Sequence, residues 1–202
     1  MRARERRGPI GGQIKGSQVL RAMYEELKET TISREDVFTG KIFTVHVDQV
    51  RLPNGKTSVR EVADHCPCVA VVALDDENNV LTVTQYRYVF GRTLLEIPAG
   101  KLEPGEDPAA GALRELREET GATPDEFIPM GKLILSPGCL GEELYLFLAR
   151  GLHMGDTQPD EDEFLVQERI PFEEMVHRCV RGEIDDGKTV AAILKAKILL
   201  DL

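Results

Sequence analysis

Gly100–Ala122, GKLEPGEDPAAGALRELREETGA, gathers glutamates along a segment that otherwise reads as a packed helix. Asp107-Pro108 gives it a start, an N-cap carboxylate followed by proline at the first helical position. Gly121 gives it the expected C-terminal stop. At 3.6 residues per turn the segment divides into three faces. Ala109, Ala112, Leu113, Leu116 and Thr120 form an apolar stripe predicted to pack on a sheet, and Ala110 and Arg117 point to water. Glu115, Glu118 and Glu119 share the remaining face with Gly111. Like charges three and four residues apart destabilise a helix, and Arg114 and Arg117 offset part of that. Gly111 costs roughly 1 kcal/mol relative to alanine and is expected to leave open space beside the carboxylates. The strand end at Ala99-Gly100 can bring a backbone carbonyl to the same spot, and Glu106 adds another acid. Hard oxygen donors clustered in this way suit Mg²⁺ or Mn²⁺, which retain waters that phosphate oxygens can replace.

Bulk properties are consistent with that chemistry. The chain has 202 residues, 42% hydrophobic, with a formal net charge of −10. It is long enough for one large domain, or one domain with an appendage. The acidic balance argues against a nucleic-acid partner, because phosphate backbones demand surplus Lys and Arg. A phosphorylated small molecule remains accessible through a metal ion. No apolar run approaches the roughly 18 residues of a membrane span. The opening MRARERRGPIGGQIKG is basic but lacks the apolar core of a secretory signal, so residues 1–22 read as a flexible basic leader. Cys66, Cys68, Cys139 and Cys179 show no C-x-x-C spacing and the histidines are scattered, so no zinc site is expected. Reduced thiols in a cytoplasmic protein are the reading that remains.

Along the chain, QVLRAMYEELKET suggests a short helix, and residues 40–65 a β-hairpin about Pro53-Asn54-Gly55. Two strands flank the turn at 75–79, LLEIPAG is one short strand ending at Gly100, and further strands fall near IPMGKLIL, ELYLFLAR and FLVQERI. Two helices, PFEEMVHRCVRGEI and DGKTVAAILKAKILLDL, close the chain. Strands outnumber helices and are expected to meet through hairpins, so the fold class is α/β with a mixed sheet and helices packed on it.

The 100–122 stretch fits the pattern G-x5-E-x7-R-E-U-x-E-E-x-G-U, with U a bulky aliphatic, through Gly100, Glu106, Arg114, Glu115, Leu116, Glu118, Glu119 and Gly121. Only Ala122 departs, a packing position. In this it resembles the Nudix hydrolases. LLEIPAG before the box, Ser136-Pro137-Gly138 after it and QPDEDEF further on resemble the ADP-ribose pyrophosphatase branch, as does Pro137 standing 16 residues beyond Gly121. The likeness spans roughly residues 28–200. It implies a Nudix α/β/α sandwich around a mixed sheet over 58–202, a small N-terminal β-region over 23–57, and a homodimer formed through that region.

The same resemblance implies roles. Glu115, Glu119 and the Ala99 carbonyl would hold the metal, with Glu118 supporting it or binding a second ion. Arg114 would orient the glutamates through salt bridges, and Glu106 would support them. The general base would come from an acidic loop at Asp160–Glu163, as Glu161 or Glu163. Arg87 would meet the diphosphate or terminal ribose, with Arg60 a second candidate. Glu142 aligns with another active-site carboxylate. With no tryptophan in the chain, Phe38 or Phe43 would have to stack on the base. The implied reaction is Mg²⁺-dependent hydrolysis of ADP-ribose to AMP and ribose 5-phosphate. A different nucleoside diphosphate sugar such as GDP-mannose, a dinucleotide, or a non-catalytic nucleotide-binding regulator are the alternatives.

Overall fold

The structure, a computed structural model, describes residues 20, 21, 23–159 and 163–200. Apart from residues 20 and 21, the leader expected over 1–22 lies outside them. Of the short helix expected next, residues 20, 21 and 23–25 are helical among the described residues, followed by a turn at 26–27. The chain divides into two compact units, one built from Met1–Gly40 and Thr44–Ala63, the other from Lys41–Phe43 and Asp64–Leu202.

The first unit holds a three-stranded sheet of β1 (Thr30–Thr39), β2 (Phe43–Arg51) and β3 (Thr57–His65), in that order, with Phe43 at the start of β2 and Asp64 and His65 at the end of β3 falling in the second unit. The β2–β3 hairpin closes where Leu52 N–H donates to Lys56 O at 2.8 Å, about the expected Pro53-Asn54-Gly55 turn. Alternate residues of β2, His46, Asp48 and Val50, are buried. Arg34, paired with Asp48 in the β1–β2 register, grips its carboxylate with two 3.0 Å hydrogen bonds. All ten residues of β1 are exposed, including Ile32, Val37 and Phe38.

The second unit is a layered α/β structure. Its larger sheet runs β7 (Ala99–Lys101), β4 (Cys68–Ala73), β9 (Glu143–Met154), β8 (Ala122–Ile134). The β4–β9 pair is parallel and its flanking pairs are antiparallel, so the sheet is mixed. A smaller sheet contains β10 (Leu165–Pro171), β5 (Asn79–Arg87) and β6 (Arg92–Glu96). The pleat sorts the core by parity. Val69, Val71 and Ala73 of β4 join Phe147 and Ala149 of β9 under α1 (Pro108–Thr120). The even-numbered neighbours Ala70, Val72, Leu146 and Leu148 meet α2 (Phe172–Arg181) and α3 (Gly187–Leu200) through Met175, Val176 and Ile193. Leu116 anchors α1 with no exposed surface, and trimming it to alanine costs about 2–5 kcal/mol.

Several local expectations change here. The strands flanking the 75–79 turn do not form a hairpin: apart from one bridge between Leu74 and Val80, β4 and β5 enter different sheets. LLEIPAG is two strands. Pro98, which has no N–H to donate, falls between β6 in the small sheet and β7 in the large one, while its carbonyl accepts from Val71 N–H at 2.9 Å. Leu113, assigned to the apolar stripe, is 38% exposed. The buried face of α1 is instead Gly111, Ala112, Glu115, Leu116, Glu119 and Thr120, so two glutamates lie deeper than a leucine.

Candidate active site

Helix α1 presents its acids because its ends are fixed. Asp107 caps it, accepting from Ala109 and Ala110 N–H at 3.0 and 3.1 Å. Gly121 ends it in a left-handed conformation, φ 73°, that a Cβ would disfavour. Gln167 of β10 donates its side-chain amide to the Glu119 carbonyl, tying the last turn to the small sheet.

Arg114 holds one half of the acid cluster. Nε and Nη2 reach the two Glu106 oxygens at 3.0 Å each, and Nη1 reaches Glu115 at 2.8 Å and Glu118 at 2.9 Å. Nη2 also donates to the Lys101 carbonyl at 3.0 Å. All five N–H donors of the guanidinium are therefore engaged. Hydrogen bonds from Arg114, then from the Glu103 backbone, bring the Glu106 carboxyl down to about 2.

Glu119 has different surroundings. It is 1% exposed, and its carboxylate accepts the Ala99 N–H at 3.1 Å. Among the described residues it forms no ion pair. Burial first, then the nearby charges of Glu115 and Glu163, push its carboxyl up to about 8. Burial also raises Glu115, against the pull of Arg114 and with Glu118 and Glu163 adding to the rise. Glu163 is thus electrostatically close to both acids.

Glycine at position 100 makes this approach possible. A Cβ there would sit 2.0 Å from the Glu115 carboxyl carbon, so any side chain would displace the acid from the β7 backbone. Gly111 corrects an expectation: it does not leave open space. A Cβ on it would meet Leu102 at 2.4 Å and Glu106 at 2.9 Å, so glycine lets the segment before the helix close against α1. Buried carboxylates lacking enough protein cations, against backbone that admits no side chain, suit a hard divalent cation. Glu115, Glu119 and Glu118 could supply the oxygens, with a carbonyl at Ala99.

The remaining candidates are distributed as follows. Arg87, at the end of β5, makes a bidentate pair with Glu96 of β6 at 2.6 and 2.5 Å, and Glu119 adds to the electrostatic rise in its pKa. Glu142 precedes β9, beside Cys68. Arg60 lies in the first unit, paired with Glu29 and bonded to Ser58 Oγ at 3.2 Å. Phe38 on β1 and Phe43 at the start of β2 are 54% and 41% exposed. Glu161, with Asp160 and Asp162, lies outside the described residues.

One group was not anticipated. Glu96 is 1% exposed, and besides Arg87 it binds Lys188 at the start of α3. Lys188 also pairs with Asp186 at 3.1 Å, and Asp186 accepts from Thr189 Oγ1 at 2.6 Å. Thr189 Oγ1 in turn accepts from Ile97 N–H at 3.0 Å. Burial would raise the Glu96 carboxyl, but Arg87 and Lys188 outweigh it and hold it below its usual range. The sequence signal was an acid inside the otherwise apolar LLEIPAG.

Known proteins resemble this chain in sequence and in fold. Residues 64–193 match the NUDIX domain family, and residues 29–63 match the nucleoside diphosphate sugar hydrolase N-terminal domain. An ADP-ribose pyrophosphatase of Bacillus subtilis is 42% identical over 84% of this chain and 92% of its own. A methanol dehydrogenase activator of Bacillus methanolicus is 41% identical over 82% of this chain and 91% of its own. The crystal structure of an ADP compounds hydrolase superposes with a TM-score of 0.78 at 24% identity, covering 86% of this chain and 95% of that one. With Glu115 and Glu119 buried on one helix face, and a family match over most of the chain, this protein belongs to the NUDIX family and is a Nudix hydrolase.

Proposed function

We propose that the protein hydrolyses the diphosphate of ADP-ribose to AMP and ribose 5-phosphate, with Mg²⁺ as its divalent ion. The observation that carries this reading is Glu119: fully buried, without an ion-pair partner among the described residues, beside Glu115 and within the field of Glu163. The named activity of the B. subtilis relative supports the choice of substrate. Glu115, Glu119 and the Ala99 carbonyl would hold the ion, with Glu118 in support. When bound, the ion neutralises phosphate oxygens and orients the reacting groups.

The chain's own residues do the rest. A carboxylate of the 160–163 loop, Glu161 or Glu163, removes a proton from the attacking water. Water oxygen bonds to one phosphorus, the bridging P–O bond breaks, and the diphosphate leaves as two monoesters. Arg114 positions Glu106, Glu115 and Glu118, with no donor left for substrate. Arg87, aimed by Glu96, meets the diphosphate, and Glu142 meets the nucleotide. Arg60 and Phe43 are the further substrate contacts, Phe43 or Phe38 by stacking on adenine.

The exposed apolar residues of β1 support a homodimer formed through the 23–57 region. No helix among the described residues is long and apolar enough to cross a membrane. Four free cysteines support a reducing cytoplasmic setting.

The test is a product assay with Mg²⁺, offering ADP-ribose beside GDP-mannose. Saturable release of AMP that stops on chelation is expected. Preferred cleavage of GDP-mannose would overturn the substrate, and tight ADP-ribose binding without turnover would overturn the reaction. Glu161→Gln and Glu163→Gln, compared in turnover and affinity, identify the base. If both stay active, the loop does not supply it.

A further inference from the structure

The second unit carries another set of donors, different in chemistry from the box acids. An imidazole nitrogen of His65, the Cys68 thiol and a Glu142 carboxylate oxygen all lie within 4.8 Å of one another, and all three residues are half-buried. The sheet brings them together. Cys68 opens β4 opposite Leu144 in the parallel β4–β9 register, so Glu142, two residues earlier, lies at the same edge. His65 ends β3, and Cys66-Pro67 joins it to β4, with the proline carbonyl accepting from Leu102 N–H at 2.9 Å. The Cys68 Sγ then stands 4.0 Å from His65 Nδ1.

Each donor is already oriented. His65 Nδ1 donates to the Cys66 carbonyl at 2.6 Å, a backbone contact of the sort that fixes ring tautomer in histidine metal ligands. In the neutral ring this leaves the lone pair on Nε2. Burial and the hydrogen bond to Glu142 raise the Cys68 thiol, so its proton is held against that carboxylate, while the charge of Lys101, its register partner on β7, favours the thiolate.

We propose that His65, Cys68 and Glu142 form a binding site for a borderline divalent cation, Zn²⁺, separate from the carboxylate site on α1. Zn–S near 2.3 Å and Zn–N or Zn–O near 2.0–2.2 Å set donor–donor edges of roughly 3.5 Å in a tetrahedron, and the three donors already lie within 4.8 Å of one another. A thiolate–imidazole pair selects zinc over magnesium, and binding displaces the thiol proton. The fourth position is left to water. A motif of C-x-x-C type is absent because the set combines His65-x-x-Cys68 with an acid on another strand. Resting on the substrate role proposed for Glu142, zinc there withdraws this carboxylate from the nucleotide and inhibits turnover.

Co²⁺, which reports thiolate ligation by a charge-transfer absorption, tests the site in the full chain with Mg²⁺ in excess. One equivalent should bind, show the thiolate band and be displaced by Zn²⁺. Cys68→Ser should abolish the band, and His65→Ala and Glu142→Gln should weaken binding by more than about tenfold. Glu119→Gln should retain it. Absence of the band, its survival in Cys68→Ser, or its loss in Cys139→Ser instead overturns the proposal. With ADP-ribose as substrate, Zn²⁺ should inhibit the unaltered protein and spare Cys68→Ser. A protein that binds Co²⁺ as described but turns over no ADP-ribose refutes the functional reading and leaves the metal site standing.

Discussion

Glu96 and Glu119 are both 1% exposed, yet their chemistry runs in opposite directions. Glu96 is embraced by Arg87 and Lys188, which outweigh the effect of burial and hold its proton affinity low. Glu119 has a backbone N–H and two nearby acids, and is raised to about 8. Burial is the same, so the cations make the difference. The first acid is charge-matched within the protein. The second is expensive to ionise without a cation from solution, which is the ground for proposing it as a ligand.

Exchanging each acid for its amide breaks the comparison most sharply. Glu119→Gln should lower Mg²⁺-dependent ADP-ribose turnover by roughly two to three orders of magnitude, while metal-free melting at pH 8 stays equal or rises because a buried charge has gone. A near-normal rate would end the ligand assignment. Glu96→Gln should do the reverse to the fold. Removing one member of a buried ion pair costs about 3–5 kcal/mol, read by urea denaturation, because Arg87 and Lys188 lose their carboxylate. A change under about 1 kcal/mol there would show that the network is not structural.

A smaller effect is expected at the backbone between them. Gly100→Ala forces the Glu115 carboxyl away from a Cβ that would lie 2.0 Å from it. Strain of that kind costs about 1–3 kcal/mol, and the Mg²⁺ concentration for half-maximal rate should rise more than the melting temperature falls. An unchanged metal requirement would show that the close approach does not shape the site.

The subtlest test varies pH. The folded Glu119 carboxyl, at about 8 against an ordinary 4.5, keeps its proton where the unfolded chain has lost it. Its stabilising contribution is complete below about 4.5 and is lost as pH rises through 8. Metal-free protein should therefore melt progressively lower across that window, and Mg²⁺ should restore more at pH 8 than at pH 5. Glu119→Gln should flatten the trend.

Much of the α1 cluster could be read from the sequence because its information is local. Spacing on one helix puts Glu115, Glu118 and Glu119 together, and Asp107-Pro108 and Gly121 announce the ends. Residues joined only by the tertiary fold were not legible. Lys188 stands 92 residues from Glu96, and no periodicity connects them. Leu113 looked like core because an apolar residue at helical spacing is the usual core signal, whereas here the buried face belongs to acids. LLEIPAG looked like one strand because its apolar run is continuous, and only the partition of neighbouring strands into two sheets reveals the break at Pro98.

Arg114 has a consequence for the order of events. Its five donors are spent on glutamates and a carbonyl, so this cluster offers an incoming polyanion no positive landing point of its own. On the proposed reading, nucleotide recruitment at that face of a chain of net charge −10 would wait for the dication. Metal first, nucleotide second is the binding order expected on that proposal.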